Sequence, residues 1–190
     1  MLFSNRGWVL GNLTFLWGLS AIVAGAVALP PPASAQSSSP PVRCALDAAY
    51  DINNPFAKIM RGELGRKKQV VFEDANVIAF MPLDAVAPGH TLVIPKRAVR
   101  SLLDMTPKEM GQVLDVARRV ALAQQKALGA TGFRIGQNNG PGAQDVCHTH
   151  FHVIPLFENR NSRPADYRAT VPSEEQDAMA ARLRAAFPPP

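Results

Sequence analysis

The sequence predicts an α+β fold: an antiparallel five-stranded sheet with one long and one short helix, and a further helix at the C-terminus. Three observations carry this. Short β-branched and aromatic runs are separated by turns too brief to hold a crossover helix. One long helical pattern has a start signal and a stop signal at its two ends. The order is helix, three strands, helix, two strands, helix, without the regular alternation of a doubly wound sheet.

Each element has its own warrant. Pro55 to Leu64 reads as a short helix, with proline at its start and Phe56, Ile59 and Met60 on one face. Gln69 to Glu73 and Asn76 to Met81 are strands, split by a polar turn into a hairpin. Asp84 to Gly89 is a turn-rich loop, and His90 to Pro95 is a third strand. Thr106-Pro107-Lys108-Glu109 is a capping box with proline at the first helical position. Met110, Val113, Leu114, Ala117, Val120, Ala121 and Leu128 follow at helical spacing until Gly129 closes the helix. Phe133 to Asn138 is a fourth strand, Asn139 to Gly142 a turn, and His148 to Leu156 a fifth strand. Ser173 to Gln176 reads as a second capping box, opening a helix that ends before Pro188.

Composition sets the outer limits. A chain of 190 residues with 47% apolar and 18% charged residues fits one folded domain and a tail, and excludes wholesale disorder. Two cysteines exclude a disulfide-dense miniprotein and a four-cysteine zinc site. A net charge of +5 is too small and too spread to imply nucleic-acid binding. Lys67-Lys68, Lys96-Arg97 and Arg118-Arg119 read as solvated faces. Residues 1–35 read as an export signal: Arg6, an uncharged stretch from Trp8 to Leu29, three prolines, and Ala33-Ser34-Ala35 as a small-x-small cleavage site. An uncleaved membrane anchor is the alternative, since the apolar stretch is long enough to span a bilayer. Residues 36–53 read as a flexible lead-in, 54–157 as the folded domain and 158–190 as an extension with a helix. The expected location is exported, periplasmic or secreted, where disulfides persist and Cys44 could pair with Cys147.

The chemistry lies on the last strand. His148, His150 and His152 alternate with Thr149 and Phe151, so a strand puts three rings on one face. Three ring pairs of nitrogens, each needing a partner, are a poor choice for a plain core. A metal site fits poorly as well. The outer Cα atoms would lie roughly 13 Å apart at about 3.3 Å per residue, whereas zinc takes nitrogens at about 2.0–2.1 Å. A metal would use two of the three with a ligand from elsewhere. Catalysis on phosphorus fits better. A neutral imidazole can attack phosphorus and form a covalent intermediate, while neighbouring rings hold its tautomer and donate to phosphate oxygens. Chemistry alone does not say which ring attacks. Asn138, Gln144 and the amides around Gly140 and Gly142 are placed to cradle an anion.

Gln144-Asp-Val-Cys-His148-Thr-His150-Phe-His152-Val-Ile-Pro155 resembles the signature of the histidine triad (HIT) family. Phe56 to Leu64, Val71-Phe-Glu-Asp, Ala79-Phe and Pro88-Gly-His90-Thr-Leu-Val-Ile-Pro-Lys96 resemble its upstream segments, in order, over about residues 54 to 157. The resemblance implies a HIT-like five-stranded antiparallel sheet, a homodimer, and hydrolysis or transfer at the α-phosphate of a nucleotide conjugate without metal or cofactor. A small-molecule nucleotide would be the substrate: a nucleoside phosphoramidate, or alternatively a dinucleoside polyphosphate. His150 would be the nucleophile, His148 would orient it, and His152 and His90 would lie beside the phosphate and leaving group. Asn138 and Gln144 would hold oxygens, and Phe56, Ile59, Phe80 and Leu83 would meet the base. Histidine at 152, where the nucleotidyltransferase branch has glutamine, favours the hydrolase branches.

Departures from the family pattern are equally specific. Pro82 stands where an aspartate usually holds the ribose hydroxyls, which leaves Asp84 as the nearest substitute. The turn from Asn138 to Gln144 is one residue short of the usual pattern, with Ala143 where glycine is common. Asn54 and Ala57 occupy positions where some members carry zinc-binding cysteines. A module that binds nucleotide or metal without turnover is the rival reading; the presence of all three triad histidines together with His90 argues against it.

Overall fold

The computed structural model describes residues 43–158 and 169–190, with Ala169 and Thr170 as backbone only. The expected export signal, the first part of the lead-in and most of the polar stretch after Glu158 lie outside the described residues. Helix α1 spans Pro55–Met60 and is capped by Asn54, whose Oδ1 accepts from the amides of Phe56 and Ala57 at 3.0 Å each. Strand β1 (Val70–Glu73) follows a short 3-10 turn, Lys67–Gln69, and pairs with β2 (Val77–Phe80) as a hairpin. After β3 (Asp84–Ala85) comes β4 (Thr91–Pro95). Helix α2 runs from Pro107 to Leu128 with the Thr106–Glu109 capping box formed, and stops at Gly129, where φ is 71°. Strands β5 (Gly132–Gln137) and β6 (Phe151–Leu156) complete one antiparallel sheet of order β1-β2-β4-β6-β5. Strand β7 (Ala169–Thr170) pairs with β3, and α3 spans Ser173–Ala186. This is the expected α+β architecture, with a two-residue ribbon added.

The pleat sorts the sheet's side chains into two layers. Val77 and Ala79 of β2, Val93 of β4, and Phe151 and Val153 of β6 face α2 and join Val113, Ala117 and Val120 in the main core. Ile78, Phe80, Leu92 and Ile94 point to the other face, where Phe56 of α1 covers them. The histidines belong to this second face. Helix α3 closes the first layer: Ala180 and Leu183 are fully buried in the main core. Arg119 of α2 lies 4.7 Å from the ring centroids of both Phe72 and Phe187, and its Nη2 donates to the Pro188 carbonyl at 2.8 Å. The C-terminal segment is thus packed into the body of the fold.

Several local expectations are corrected. Gln69 belongs to the 3-10 turn rather than to β1, and β6 begins at Phe151, because the backbone amides of His148 and Thr149 donate outside the ladder, to the carbonyls of Val146 and Val99 at 2.8 Å each. Leu114 of α2 is exposed, since the buried face runs through Val113, Val116, Ala117 and Val120. The Ser173–Gln176 capping box does not form: Pro172 is the N-cap and no side chain caps it. Both side chains bond instead to residues flanking the β1–β2 hairpin: Ser173 to Gln69, and Gln176 to Pro82 and Arg66. The lead-in from Arg43 onward is fastened rather than loose. Cys44 is joined to Cys147 by a disulfide, and Arg100 Nη1 donates to the Ala45 carbonyl at 2.7 Å.

Candidate active site

The site is assembled from one strand diagonal and one turn. In the β4–β6 ladder Leu92 lies opposite His152, so His90, two residues earlier on the same face, is a diagonal neighbour of His152. The two rings stack with centroids 5.1 Å apart, and His90 Nε2 lies 3.0 Å from His152 Nδ1. His150 stands beside them, its ring centroid 5.0 Å from that of His152. Phe56 meets His150 edge to face at 5.1 Å and His148 at 6.2 Å.

The hydrogen bonds fix a proton on each ring. The Pro95 carbonyl, which can only accept, lies 2.9 Å from His148 Nε2, so that nitrogen carries the proton. His148 Nδ1 therefore accepts, and the Tyr50 hydroxyl donates to it at 2.6 Å. Burial holds that phenol above its ordinary pKa, in its protonated form. The His148 carbonyl in turn takes the proton of His150 Nδ1 at 2.7 Å, which leaves the lone pair of His150 on Nε2. On the neighbouring strand, the Val86 amide donates to His90 Nδ1 at 3.3 Å, so His90 Nε2 donates to His152 Nδ1. The remaining proton of His152 is then on its Nε2.

Burial favours the uncharged form of His90, His148 and His150. It pushes His90 down to about 3, helped by the neighbouring His152 and His150, and His148 down to about 4 against the pull of the Pro95 carbonyl. His150 is also lowered by burial, while the His148 carbonyl and the Asp145 carboxylate oppose the shift. A neutral imidazole with its proton fixed at Nδ1 is the form that can act as a nitrogen nucleophile.

The rings open on a cavity of about 230 Å³. His90, His150 and His152 line it, together with Phe56, Ile59, Phe80, Leu83 and Asp84. All of these were singled out by sequence. His148 is fully buried behind Phe56 and does not line it, in keeping with an orienting place. Asn138 and Gln144 are not among the lining residues. Asn138 is exposed just past β5, and Gln144 is spent on its own turn. The Gln144 Oε1 accepts from the Gly140 amide at 3.1 Å, and its Nε2 donates to the Arg100 carbonyl at 2.8 Å. It shapes the turn in which Gly140 and Gly142 take φ of 74° and 77°. Pro82 is buried in the cavity wall, where it offers no side-chain acceptor. A larger hollow of about 520 Å³, between the end of α2 and α3, contains no histidine and is remote from this chemistry.

Sequence reasoning missed Tyr50, Arg66 and Asp145. Arg66 lines the cavity, and its Nη2 donates to the Met81 carbonyl and to Gln176 Oε1, each at 2.9 Å. Asp145 carried a signal, since it sits within the motif itself. Tyr50 and Arg66 carried none, because the partners that fix them at the site, His148 for Tyr50 and Met81 and Gln176 for Arg66, lie outside their local sequence.

Known proteins share this fold. A Hit-like protein from Bartonella henselae superimposes with a TM-score of 0.66 at 40% identity, covering 74% of this chain and 100% of that one. An adenosine 5'-monophosphoramidase of Schizosaccharomyces pombe is 34% identical over 101 residues, 53% of this chain and 71% of the relative. An asymmetrical bis(5'-nucleosyl)-tetraphosphatase of the same organism is 40% identical over 88 residues, 46% of this chain and 48% of the relative. The family model described as the HIT domain matches residues 64–159, from the loop after α1 through β6 and both histidine-bearing segments, and this chain belongs to that family.

Proposed function

We propose that this chain is a nucleotide phosphohydrolase that attacks the α-phosphate of a nucleoside phosphoramidate, or a related nucleotide conjugate, through a covalent nucleotidyl-His150 intermediate. The observation that carries the reading is the tautomer of His150. Its Nδ1 proton is committed to the His148 carbonyl, so Nε2 is the basic nitrogen, on a ring that lines the cavity. In the first half-reaction the Nε2 lone pair bonds to phosphorus and the bond from phosphorus to the leaving amine breaks. The amine departs with a proton from solvent. In the second, a water oxygen bonds to phosphorus, its proton passes to solvent, and the pair of the nitrogen–phosphorus bond returns to Nε2. The Nε2 proton of His152 donates to the phosphate, and His90 holds His152 in that tautomer. The base packs on Phe56, Ile59, Phe80 and Leu83, and Asp84 takes the ribose place left by Pro82. Gln144 acts through the turn it braces.

The S. pombe monophosphoramidase supports the substrate class. The exposed edge of β5, with Phe133 47% and Ile135 37% accessible, supports a homodimer joined there. The Cys44–Cys147 bridge supports export to an oxidising compartment, where the mature chain would begin at Gln36; sequencing the N-terminus of the exported protein checks this. The activity is tested with adenosine 5'-phosphoramidate. Wild type should release adenosine monophosphate, and His150→Ala should lose at least about a thousandfold in kcat. Equal release by the two proteins would refute the nucleophile.

A further inference from the structure

The segment before α1 has no place in the mechanism above, yet it reaches the triad. Cys44 is covalently tied to Cys147, the residue immediately before His148. Arg100 holds the Ala45 and Leu46 carbonyls. The Leu46 side chain lies over Gly140 of the turn. Downstream, Arg61 Nη1 donates to the Ile52 carbonyl at 2.7 Å, and Asn54 Nδ2 to the Asp51 carbonyl at 2.7 Å. Tyr50 sits between these two sets of fastenings, with its hydroxyl on His148 Nδ1.

We propose that Tyr50 is a positioning residue of the triad, kept on His148 by the Cys44–Cys147 disulfide, so that reduction of the bridge slows nucleotidyl transfer to His150. The proposal rests on the reading of His150 as nucleophile. Its physical content is a relay of fixed positions. The His148 ring is pinned at Nε2 by the Pro95 carbonyl and at Nδ1 by Tyr50. The backbone carbonyl of the same residue fixes the His150 ring. Without the phenol, a fully buried acceptor at Nδ1 has lost its donor, and the ring relaxes to find another. The carbonyl then shifts, and His150 Nε2 moves off the line of attack, where small misplacements are costly. The hydroxyl touches neither phosphate nor leaving group, so the loss falls on turnover rather than on binding.

The bridge couples this contact to redox state. A dithiol passes two electrons and two protons to the bridge: the sulfur–sulfur bond breaks, Cys44 and Cys147 become thiols, and the dithiol closes to its own disulfide. The upstream fastening is then reduced to the two Arg100 contacts and the packing of Leu46 over Gly140, and Tyr50 is held chiefly from the α1 side.

The test uses the full chain and adenosine 5'-phosphoramidate, with ¹⁵N signals of the His148 ring as a second readout. Tyr50→Phe keeps the ring and removes the donor. It should lower kcat about tenfold with KM changed less than about twofold. The His148 Nδ1 resonance should move to the position of an imidazole nitrogen that accepts no hydrogen bond. Dithiothreitol should lower wild-type kcat by a similar factor, shift the same resonance, and leave Tyr50→Phe unchanged, since both act through one contact. Unchanged kcat in Tyr50→Phe, or losses that multiply on reduction, would overturn the proposal. Should wild type itself not turn over, the nucleophile reading fails. An unmoved His148 Nδ1 resonance in Tyr50→Phe and in reduced wild type would separately overturn the contact.

Discussion

At the scale of single residues the site is an arrangement of protons. Four imidazoles are buried or half-buried together, and each hydrogen bond removes one ambiguity of tautomer. Protonation undoes that order, which gives a stability signature. His90 is pushed to about 3 and His148 to about 4, both by burial. The unfolded chain takes up protons at these histidines below about 6.5 while the folded chain does not, so folding stability is complete above that pH and falls as pH drops. The loss approaches about 1.4 kcal/mol per pH unit for each histidine, from pH 6.5 to about 4, and continues for His90 to about 3. Urea midpoints at pH 7.5 and 5 check this; equal midpoints would contradict neutral buried rings. The triad itself was legible, because residues two apart in an extended segment project to one side, and the segment leading into β6 is extended enough to keep the three rings together. Tyr50 and the Pro95 carbonyl were not, because contacts across 98 and 53 residues leave no local pattern.

At the scale of elements, the strands and α2 follow from alternation and caps, and α3 shows where such signals mislead. Ser173 and Gln176 have the letters of a capping box, but their side chains bond across the fold. Gln69 Nε2 donates to Ser173 Oγ at 2.9 Å, and Gln176 Nε2 donates to the Pro82 carbonyl at 2.7 Å while its Oε1 accepts from Arg66. Gln176 is buried at 2% accessibility, and satisfying Pro82 and Arg66 there outweighs an exposed cap. The result matters for the site, because Pro82 and Leu83 form a wall of the cavity. Gln176→Ala leaves the Pro82 carbonyl and the Arg66 guanidinium short of partners. It should cost about 1–3 kcal/mol of stability and raise KM for the nucleotide more than it lowers kcat. Melting curves and steady-state kinetics read the two effects; an unchanged KM would show that α3 does not support the pocket.

At the scale of the whole molecule, two links act at a distance. The disulfide closes a separation of 103 residues, which restrains the unfolded chain by about 4.7 kcal/mol in the chain-entropy account. The β5 edge, with Phe133 and Ile135 accessible, is the place proposed for a second copy to extend the sheet. Ile135→Lys should convert a dimer to a monomer in sedimentation at micromolar concentration; a wild type that sediments as a monomer would contradict that assembly. The central claim remains chemical. The most direct measurement is rapid acid quenching of the full chain during turnover of adenosine 5'-phosphoramidate, followed by peptide mass spectrometry under conditions that preserve phosphorus–nitrogen bonds. The account predicts an adenylyl group on the peptide carrying His150, located on that residue and absent from His150→Ala. Turnover with no adduct under conditions that trap it, or an adduct on His148 or His152, would contradict it.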